Sequence, residues 1–507
     1  MTTSNNIFAD TISEETARYL NTVRNAIAND LRPTIEDDTG RRVADALNLV
    51  LGRLIERLSP ARNVIATEHM AEWENIQQEL DELCTNNNAS PGLLNAEMKP
   101  REKLEASLAQ LQNTFSQSTL IRANGLVTEA HSKEWQWFRK AGVAAFSLWE
   151  EIENGVNCAT IKQAEDVAAS SNDTICSKLE QYLRNKYPQL PEIIITNFTP
   201  YYGGYVKQMA KVTLVANDAL PSTIVLRRDL AMSFTGTRSF DEFPVMERVY
   251  SLGLPVPRPI LAEEDETILG GSFLLMEEVA NVSPAGAYFA KERKQEPVRV
   301  GPGFCQEIAS TMATLHSKTA LTEHSIEQRQ QARAALLEEI SALQAEWQSI
   351  SRPPMSIAVD LGFEWLLQRP LPDNRPCGLV HADCGMHNYL VRDGHLVAVV
   401  DWELAHQGDP AEDLAMIRMM VAGDVFKWED FVTQYVGAGG DANACDPEAV
   451  AYYSILLFTR HILNATRLRT YYHTGARDDA IVASVATHSI ERLLQYQARA
   501  LKFALDL

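Results

Sequence analysis

No run of apolar residues in this chain approaches the ~18 that a membrane-spanning helix needs. Positive charge is also scarce: 46 lysines and arginines stand against 67 aspartates and glutamates, a net charge of -21. Phosphate neutralisation requires clustered Lys and Arg, so no nucleic acid and no membrane is expected as a partner. Cysteine is sparse too. The seven (Cys84, Cys158, Cys176, Cys305, Cys377, Cys384 and Cys445) are scattered, odd in number and free of C-x-x-C pairs, which reads as reduced thiols and no zinc site. The start, M-T-T-S-N-N-I-F-A-D, lacks the basic and apolar regions of a signal peptide, so a cytoplasmic location is expected. There is no internal repeat and no low-complexity tract. What remains is an ordinary globular composition, 45% hydrophobic and 22% charged over 507 residues, a length that suits about three domains.

The first 150 residues read as helical throughout. From Arg41 to Leu58, the residues Val43, Leu47, Val50, Leu51, Leu54 and Leu58 keep helical spacing behind the capping residues Asp37, Asp38 and Thr39. Asn86-Asn87-Asn88 and Pro91-Gly92 mark a loop, and a second helical tract runs from about Lys99 past Trp135, Phe138 and Trp149. Residues 1–150 are therefore expected to form a helical N-terminal domain, a packing or dimerisation module that would make the protein a homodimer, joined by a linker helix over 151–174. From Ile193 the texture changes to short β-rich runs at 193–195, 212–215, 223–226 and 273–276, with Gly203-Gly204, Pro221 and Gly270-Gly271 at the turns. One helix, Phe240 to Leu252, is inserted, and after Asn281 the pattern is mostly helical.

The chemistry concentrates in His381-Ala382-Asp383-Cys384-Gly385-Met386-His387-Asn388 and the segment that follows it. Asp393-Gly394 between two apolar runs is a strong signal for a two-residue hairpin turn. Folding about that turn places Asn388 opposite Val399 and brings Asp401 beside the loop that holds Asp383. Two carboxylates and an amide at one end of a rigid hairpin are what Mg²⁺, still carrying waters and phosphate oxygens, needs from a protein. Asp383 is then left to accept the proton of an attacking hydroxyl.

These residues resemble the aminoglycoside phosphotransferase and choline kinase-like superfamily of small-molecule kinases, relatives of the protein kinases. The resemblance covers roughly residues 175–507, and its closest texture is that of the kinase domains associated with acyl-CoA dehydrogenases. It implies an α+β, protein-kinase-like two-lobed fold: a small antiparallel β lobe over 175–281 with a hinge at 276–281, and a large helical lobe over 282–507. It implies ATP and Mg²⁺ as cofactors, Asp383 as catalytic base, Asn388 and Asp401 as metal ligands, and His381 as a brace for the catalytic loop. The run Gly408-Asp409-Pro410-Ala411-Glu412-Asp413-Leu414-Ala415 fits the same pattern, with Asp413 structural.

The resemblance extends to the small lobe. Phe273 to Val279 is similar to the last strand and hinge, where Met276, the Glu277 carbonyl and the Val279 amide would border the base, a recognition by backbone that does not by itself separate ATP from GTP. Glu242 stands where the family places its ion-pairing glutamate, with Glu247 as runner-up. Arg227 takes the place of the usual phosphate-gripping lysine; it keeps the charge and adds a bidentate fork. The phosphate loop, Tyr201 to Gln208, keeps Gly203 and Gly204 but has Val206 and Lys207 where relatives carry Ser and Asn, so Lys207 is expected to give the nucleotide phosphates compensating charge, against the plainer reading of an exposed loop lysine.

In this fold the acceptor lies against the large lobe. Residues 410–507 hold 9 basic and 12 acidic groups, not the strongly acidic pocket a polycationic aminoglycoside would require. Arg460, Asn464 and Arg467 share one helical face, with His461, Arg469 and His473 nearby and tyrosines flanking. That face suits an acceptor bearing phosphate or carboxylate, and solvated arginines suit it equally. The expected activity is phosphorylation of a hydroxyl on a small metabolite, with a catabolic hydroxyacyl-CoA as the first candidate. A phenolic or aromatic alcohol and an aminoglycoside are the rivals in class; a nucleotide-binding pseudokinase scaffold is the alternative outside it.

Overall fold

The structure is a computed structural model. It describes residues 172–507, apart from 191–192, 202–206, 216–219, 231–235, 288–298, 322–324, 351–356 and 474–479, together with 19–32 and scattered positions from 35 to 126. The expected helical tract of 99–149 has only positions 125 and 126 within this set, and most of the linker helix, including 151–171, falls outside it. So do Gly203, Gly204 and Val206. In the N-terminal stretch, residues 19–26 and 43–48 are helical, and the π-helical turn Ile27–Leu31 follows the first of these.

The chain divides into two compact units, one of residues 166–338 and 371–457, the other of 1–165, 339–370 and 458–507. The first holds the antiparallel sheet and the catalytic loop, with the elements that follow up to residue 457 apart from 339–370. Its small lobe opens with α1 (Asn172–Lys186) and continues with β1 (Ile194–Tyr201), β2 (Lys207–Val215) and β3 (Thr223–Asp229). Then come α2 (Ser239–Ser251), β4 (Pro259–Glu263) and β5 (Phe273–Glu277). The five strands form one antiparallel sheet in the order β1-β2-β3-β5-β4. Successive side chains on a strand face opposite ways. Ile224 and Leu226 therefore enter the core built with Ile175, Leu179 and Leu183 of α1 and Phe273 and Leu275 of β5, while Arg227 turns to the other face.

The lower part of this unit continues with β6 (Ser283–Pro284), α3 (Phe304–Lys318) and the first half of α4 (Ile326–Ser349). After α5 (Ile357–Gln368), which belongs to the second unit, it resumes with β7 (Gly378–Val380), β8 (Tyr389–Arg392), β9 (His395–Val399) and β10 (His406–Gly408). It closes with α6 (Ala411–Met420), α7 (Trp428–Gly437) and the start of α8 (Pro447–His473). β8 and β9 form the expected hairpin. Asp393 and Gly394 both have positive φ, 52° and 84°, as a type I′ turn demands. The register differs from the expected one by a residue: Arg392 pairs with His395 and Val391 with Leu396, but Leu390 pairs with Ala398 and Tyr389 with Val399. The irregularity leaves Val397 as the extra residue of a bulge. Val399 thus faces Tyr389, and Asn388 instead accepts the Val400 N–H on its carbonyl at 3.0 Å.

In the second unit α5 packs on α9 (Ala480–Leu505), and Gln497 reaches Thr459 Oγ1 at 3.0 Å. The stretch 282–507, expected as one helical lobe, is shared between the two units, and the division falls within both α4 and α8. Among the described residues no helix is long and apolar enough to cross a membrane.

Candidate active site

Arg227 is the centre of the arrangement. From β3 its Nε lies 2.7 Å from Glu242 Oε2 on α2, and its NH2 contacts Asp401 Oδ1 at 2.6 Å and Glu403 Oε2 at 3.0 Å. One planar fork thereby ties a sheet strand, a helix and the turn after β9 together. Burial works against its charge, but Glu242, Asp401 and Glu403 outweigh that and hold the guanidinium above its ordinary pKa. Glu242 is buried and also accepts the Trp402 N–H at 3.1 Å, whereas Glu247 is exposed, so the structure selects Glu242 as the partner of Arg227.

Lys207 does not project from the phosphate loop as an open cation. It is 4% exposed, and its amine contacts Asp229 Oδ1 at 2.8 Å, the Thr237 carbonyl and, at 3.8 Å, Glu403 Oε2. The antiparallel register places Lys207 opposite Asp229, which fixes this pairing. Asp229 in turn accepts from Ser239 N (3.0 Å) and Oγ (2.7 Å), so the first turn of α2 is capped by a strand residue, with no side-chain cap from Arg238. The expected phosphate-facing lysine is in fact an internal counter-ion between β2, β3 and α2, and the exposed-lysine reading fails as well.

The catalytic loop lies between β7 and β8. Asn388, 4% exposed, uses its amide nitrogen to reach Asp383 Oδ2 at 2.9 Å and the Asp383 carbonyl at 3.0 Å. The amide oxygen is then the atom left for a cation. His387 Nε2 stands 3.4 Å from the same Asp383 oxygen. Its ring needs the glycine at 385: a Cβ there would come within 2.6 Å of it. His381 is fully buried. Its Nδ1 accepts the Asp383 N–H at 3.2 Å, so Nε2 carries the proton and donates it to the Val400 carbonyl at 3.0 Å. The imidazole thus ties Asp383 to the residue before Asp401, with the Trp402 ring against it at 4.5 Å. Two residues in this region hold left-handed backbone without being glycine, Ala382 (φ 64°) and Asp401 (φ 70°), at a cost of roughly 1–3 kcal/mol each.

Mg²⁺ fits the donor set at Asn388 and Asp401. Around Arg227 and Lys207 stand four carboxylates, Asp229, Glu242, Asp401 and Glu403, so acid exceeds base in a largely buried cluster. The excess is felt at Glu403, whose pKa is pushed up to about 7 by burial and then by the Asp401 charge, with Arg227 pulling the other way. A divalent cation would relieve that repulsion. Among the described residues no group of three His, Cys, Asp or Glu side chains could hold a metal unaided.

At the hinge, Met276 is buried in β5 and the Glu277 N–H is bonded to the Arg258 carbonyl; the chain then leaves the sheet through Glu278 and Val279. Arg460 and Arg467 belong to the other unit. There Arg460 meets both oxygens of Glu339 at 2.6 and 2.7 Å, and Arg467 holds Glu346 and, at 2.8 Å, Asn464. The face expected to be basic is an ion-pair ladder, because α4 supplies a glutamate at the same seven-residue interval as the arginines.

Glu403 was not singled out from sequence, although its place two residues after Asp401 on a short turn was a usable signal.

Residues 218–451 match the family described as the phosphotransferase enzyme family. Acyl-CoA dehydrogenase family member 11 of Pongo abelii is 30% identical over 187 residues, 34% of this chain and 22% of that protein. The Homo sapiens protein of the same name is 28% identical over 182 residues, 34% of this chain and 22% of its own length. The chain thus matches about a fifth of the length of these curated relatives. A putative aminoglycoside phosphotransferase from Ralstonia eutropha has 16% identity and a TM-score of 0.44, covering 64% of this chain and 98% of its own. Choline kinase LicA from Streptococcus pneumoniae has 17% identity and a TM-score of 0.42, covering 63% and 99%. The matched stretch, residues 218–451, runs from just before β3 of the antiparallel sheet through the catalytic loop and into α8, and over that stretch the chain is similar to the phosphotransferase enzyme family.

Proposed function

We propose that this protein is an ATP- and Mg²⁺-dependent phosphotransferase acting on a hydroxyl group of a small metabolite. The observation that carries the reading is the linked set Glu242–Arg227–Asp401 joined through the Val400–Asn388 backbone bond to Asp383. In this reading Asp383 orients the acceptor hydroxyl and takes its proton, and the Asn388 amide holds the carboxylate in one rotamer for that task. Arg227 supplies fixed positive charge at the triphosphate, and Glu242 keeps its fork aimed. Asn388 and Asp401 would hold the metal, which when bound neutralises charge on the phosphate oxygens. Met276, Glu277 and Val279 would border the nucleotide base.

For the acceptor, a hydroxyacyl-CoA stays first. The support is the similarity to proteins named acyl-CoA dehydrogenase family member 11; the arginines of α8, being paired, no longer contribute. The test is Mg²⁺-dependent ADP release by the full chain against hydroxyacyl-CoAs, phenols, sugar alcohols and aminoglycosides. One acceptor class should stimulate release, and Asp383→Asn should lower the stimulated rate by about 10²–10⁴-fold. Nucleotide binding without turnover in any class would overturn the proposal in favour of a scaffold.

A further inference from the structure

The contact between β3 and α2 has two rungs. Arg227 and Asp229 stand two apart on the strand and so share a face, while Ser239 and Glu242 stand three apart on the helix and share its buried side with Met246 and Val249. The two segments meet in antiparallel order. Arg227 Nε reaches Glu242 Oε2 at 2.7 Å, and Asp229 Oδ1 accepts from Ser239 N–H at 3.0 Å and from its hydroxyl at 2.7 Å. Less than one turn of helix joins the two serine and glutamate positions, so where Ser239 is held decides where Glu242 arrives.

The second rung draws in three further segments. Asp229 accepts from the fully buried Ser272 hydroxyl just before β5, and its own N–H donates to the Ser272 carbonyl at 2.9 Å. Gly271 permits this approach, since a Cβ there would strike the Asp229 carbonyl. From β2 the buried Lys207 amine donates to Asp229 Oδ1 at 2.8 Å and to the Thr237 carbonyl. One cation thus holds both the carboxylate and the backbone two residues before α2, and it is the first residue of the strand that leaves Gly203-Gly204. Burial pushes the Asp229 carboxyl upward, but the hydrogen bonds from Lys207, Ser272 and Ser239 prevail and keep it below the usual carboxylate range. It therefore meets the start of α2 as an anion, the charge that a helix N-terminus favours. The helix holds its own first turn weakly: Pro244 has no N–H for the Phe240 carbonyl, and Arg238 gives no side-chain cap.

We propose that Asp229 and Lys207 are positioning residues for Arg227: they fix the first turn of α2 so that Glu242 keeps the guanidinium aimed, and they bind that turn to the strand leaving the glycine loop. The place of Arg227 at a nucleotide triphosphate rests on the functional reading above; the hold on α2 does not. The test uses the full chain, with Asp229→Ala to remove the rung, Asp229→Asn to keep an acceptor oxygen for the Ser239 N–H, and Lys207→Met to take away the cation alone. Two measurements are made: amide hydrogen exchange along α2, and the calorimetric Kd of ATP with Mg²⁺ beside that of adenosine, which offers the base without the phosphates.

In Asp229→Ala, exchange should accelerate along α2 while β1–β5 keep wild-type protection, and the Kd of ATP should rise about 10- to 100-fold with that of adenosine within about twofold. Asp229→Asn should recover most of both losses, and Lys207→Met should fall between it and Asp229→Ala. Wild-type exchange along α2 in Asp229→Ala and Lys207→Met would overturn the proposal. Equal losses of ATP and adenosine affinity, or protection lost evenly over the whole sheet, would overturn it too. If the wild type binds no ATP while the exchange pattern holds, the hold on α2 stands and the functional reading falls. If ATP binds and neither variant alters its Kd, the functional reading stands and the positioning role falls.

Discussion

At position 227 the choice of arginine decides the local geometry. A lysine amine is a single point of charge; the guanidinium reaches Glu242 with Nε and both Asp401 and Glu403 with NH2. Arg227→Met would strand three carboxylates around a buried apolar side chain, and urea unfolding should show a loss of about 3–5 kcal/mol. Arg227→Lys, which keeps the charge but cannot span the set, should lose less. Asp413 gives a second, pH-dependent case. Burial pushes its carboxyl upward, but the His316 hydrogen bond, the neighbouring imidazoles and the His381 amide prevail and hold the native pKa below the ordinary 3.8. The native state therefore binds fewer protons than the unfolded chain in the acid range. The stability it contributes is complete above its unfolded pKa and disappears as pH falls through the native value. Asp413→Asn should therefore be less stable at neutral pH yet show a shallower decline below about pH 4, read from unfolding curves at stepped pH. Arg227, Glu242, Asp383, Asn388 and Asp401 were picked from the sequence through the hairpin signal and the resemblance, and the structure joins Arg227 to Glu242 and Asp401, and Asn388 to Asp383. Lys207 was misplaced because its partner Asp229 is a cross-strand neighbour, set by sheet register and not by spacing along the chain.

Among the elements, the β8–β9 hairpin shows how far pattern reading extends. Asp393-Gly394 named the turn correctly, since positive φ at both positions is what that dipeptide tolerates. The bulge at Val397 escaped, because nothing in Leu396-Val397-Ala398 distinguishes an extra residue from a paired one. Gly394 also approaches Gly301 so closely that a Cβ would stand 2.8 Å from the Gly301 nitrogen. Gly394→Ala combines that clash with a left-handed backbone and should cost about 1–3 kcal/mol, seen as a lowered melting temperature. The helical face of Arg460 and Arg467 was read correctly as a face and wrongly as a basic one, since the glutamates at 339 and 346 lie more than a hundred residues away in sequence. Half-exposed pairs of this kind contribute little, so Arg460→Gln and Arg467→Gln should each change stability by about 0.5 kcal/mol and leave the acceptor KM unchanged. A large rise in KM would return these arginines to the acceptor site.

For the whole molecule, the sequence suggested domains laid end to end, with a helical module before residue 150 and a kinase from 175 onward. The two compact units are interleaved instead: 339–370 and 458–507 group with 1–165, while α4 and α8 each cross from one unit to the other without a break. Linear reading misses this because no linker marks either crossing; a continuous helix carries no sign of where its neighbours change. The arrangement has a consequence for truncation. A chain starting at residue 172 would retain α5 and α9 but lose the 165-residue segment grouped with them in one compact unit, and a unit deprived of part of its chain leaves apolar surface open. Exposed apolar area on that scale attracts hydrophobic dyes and promotes association. The truncated chain should therefore bind such a dye and elute as aggregate in size-exclusion chromatography, while the full chain does neither. A monodisperse 172–507 fragment with wild-type ADP release would mean that the second unit is dispensable, and that the end-to-end reading describes the molecule better than the interleaved one.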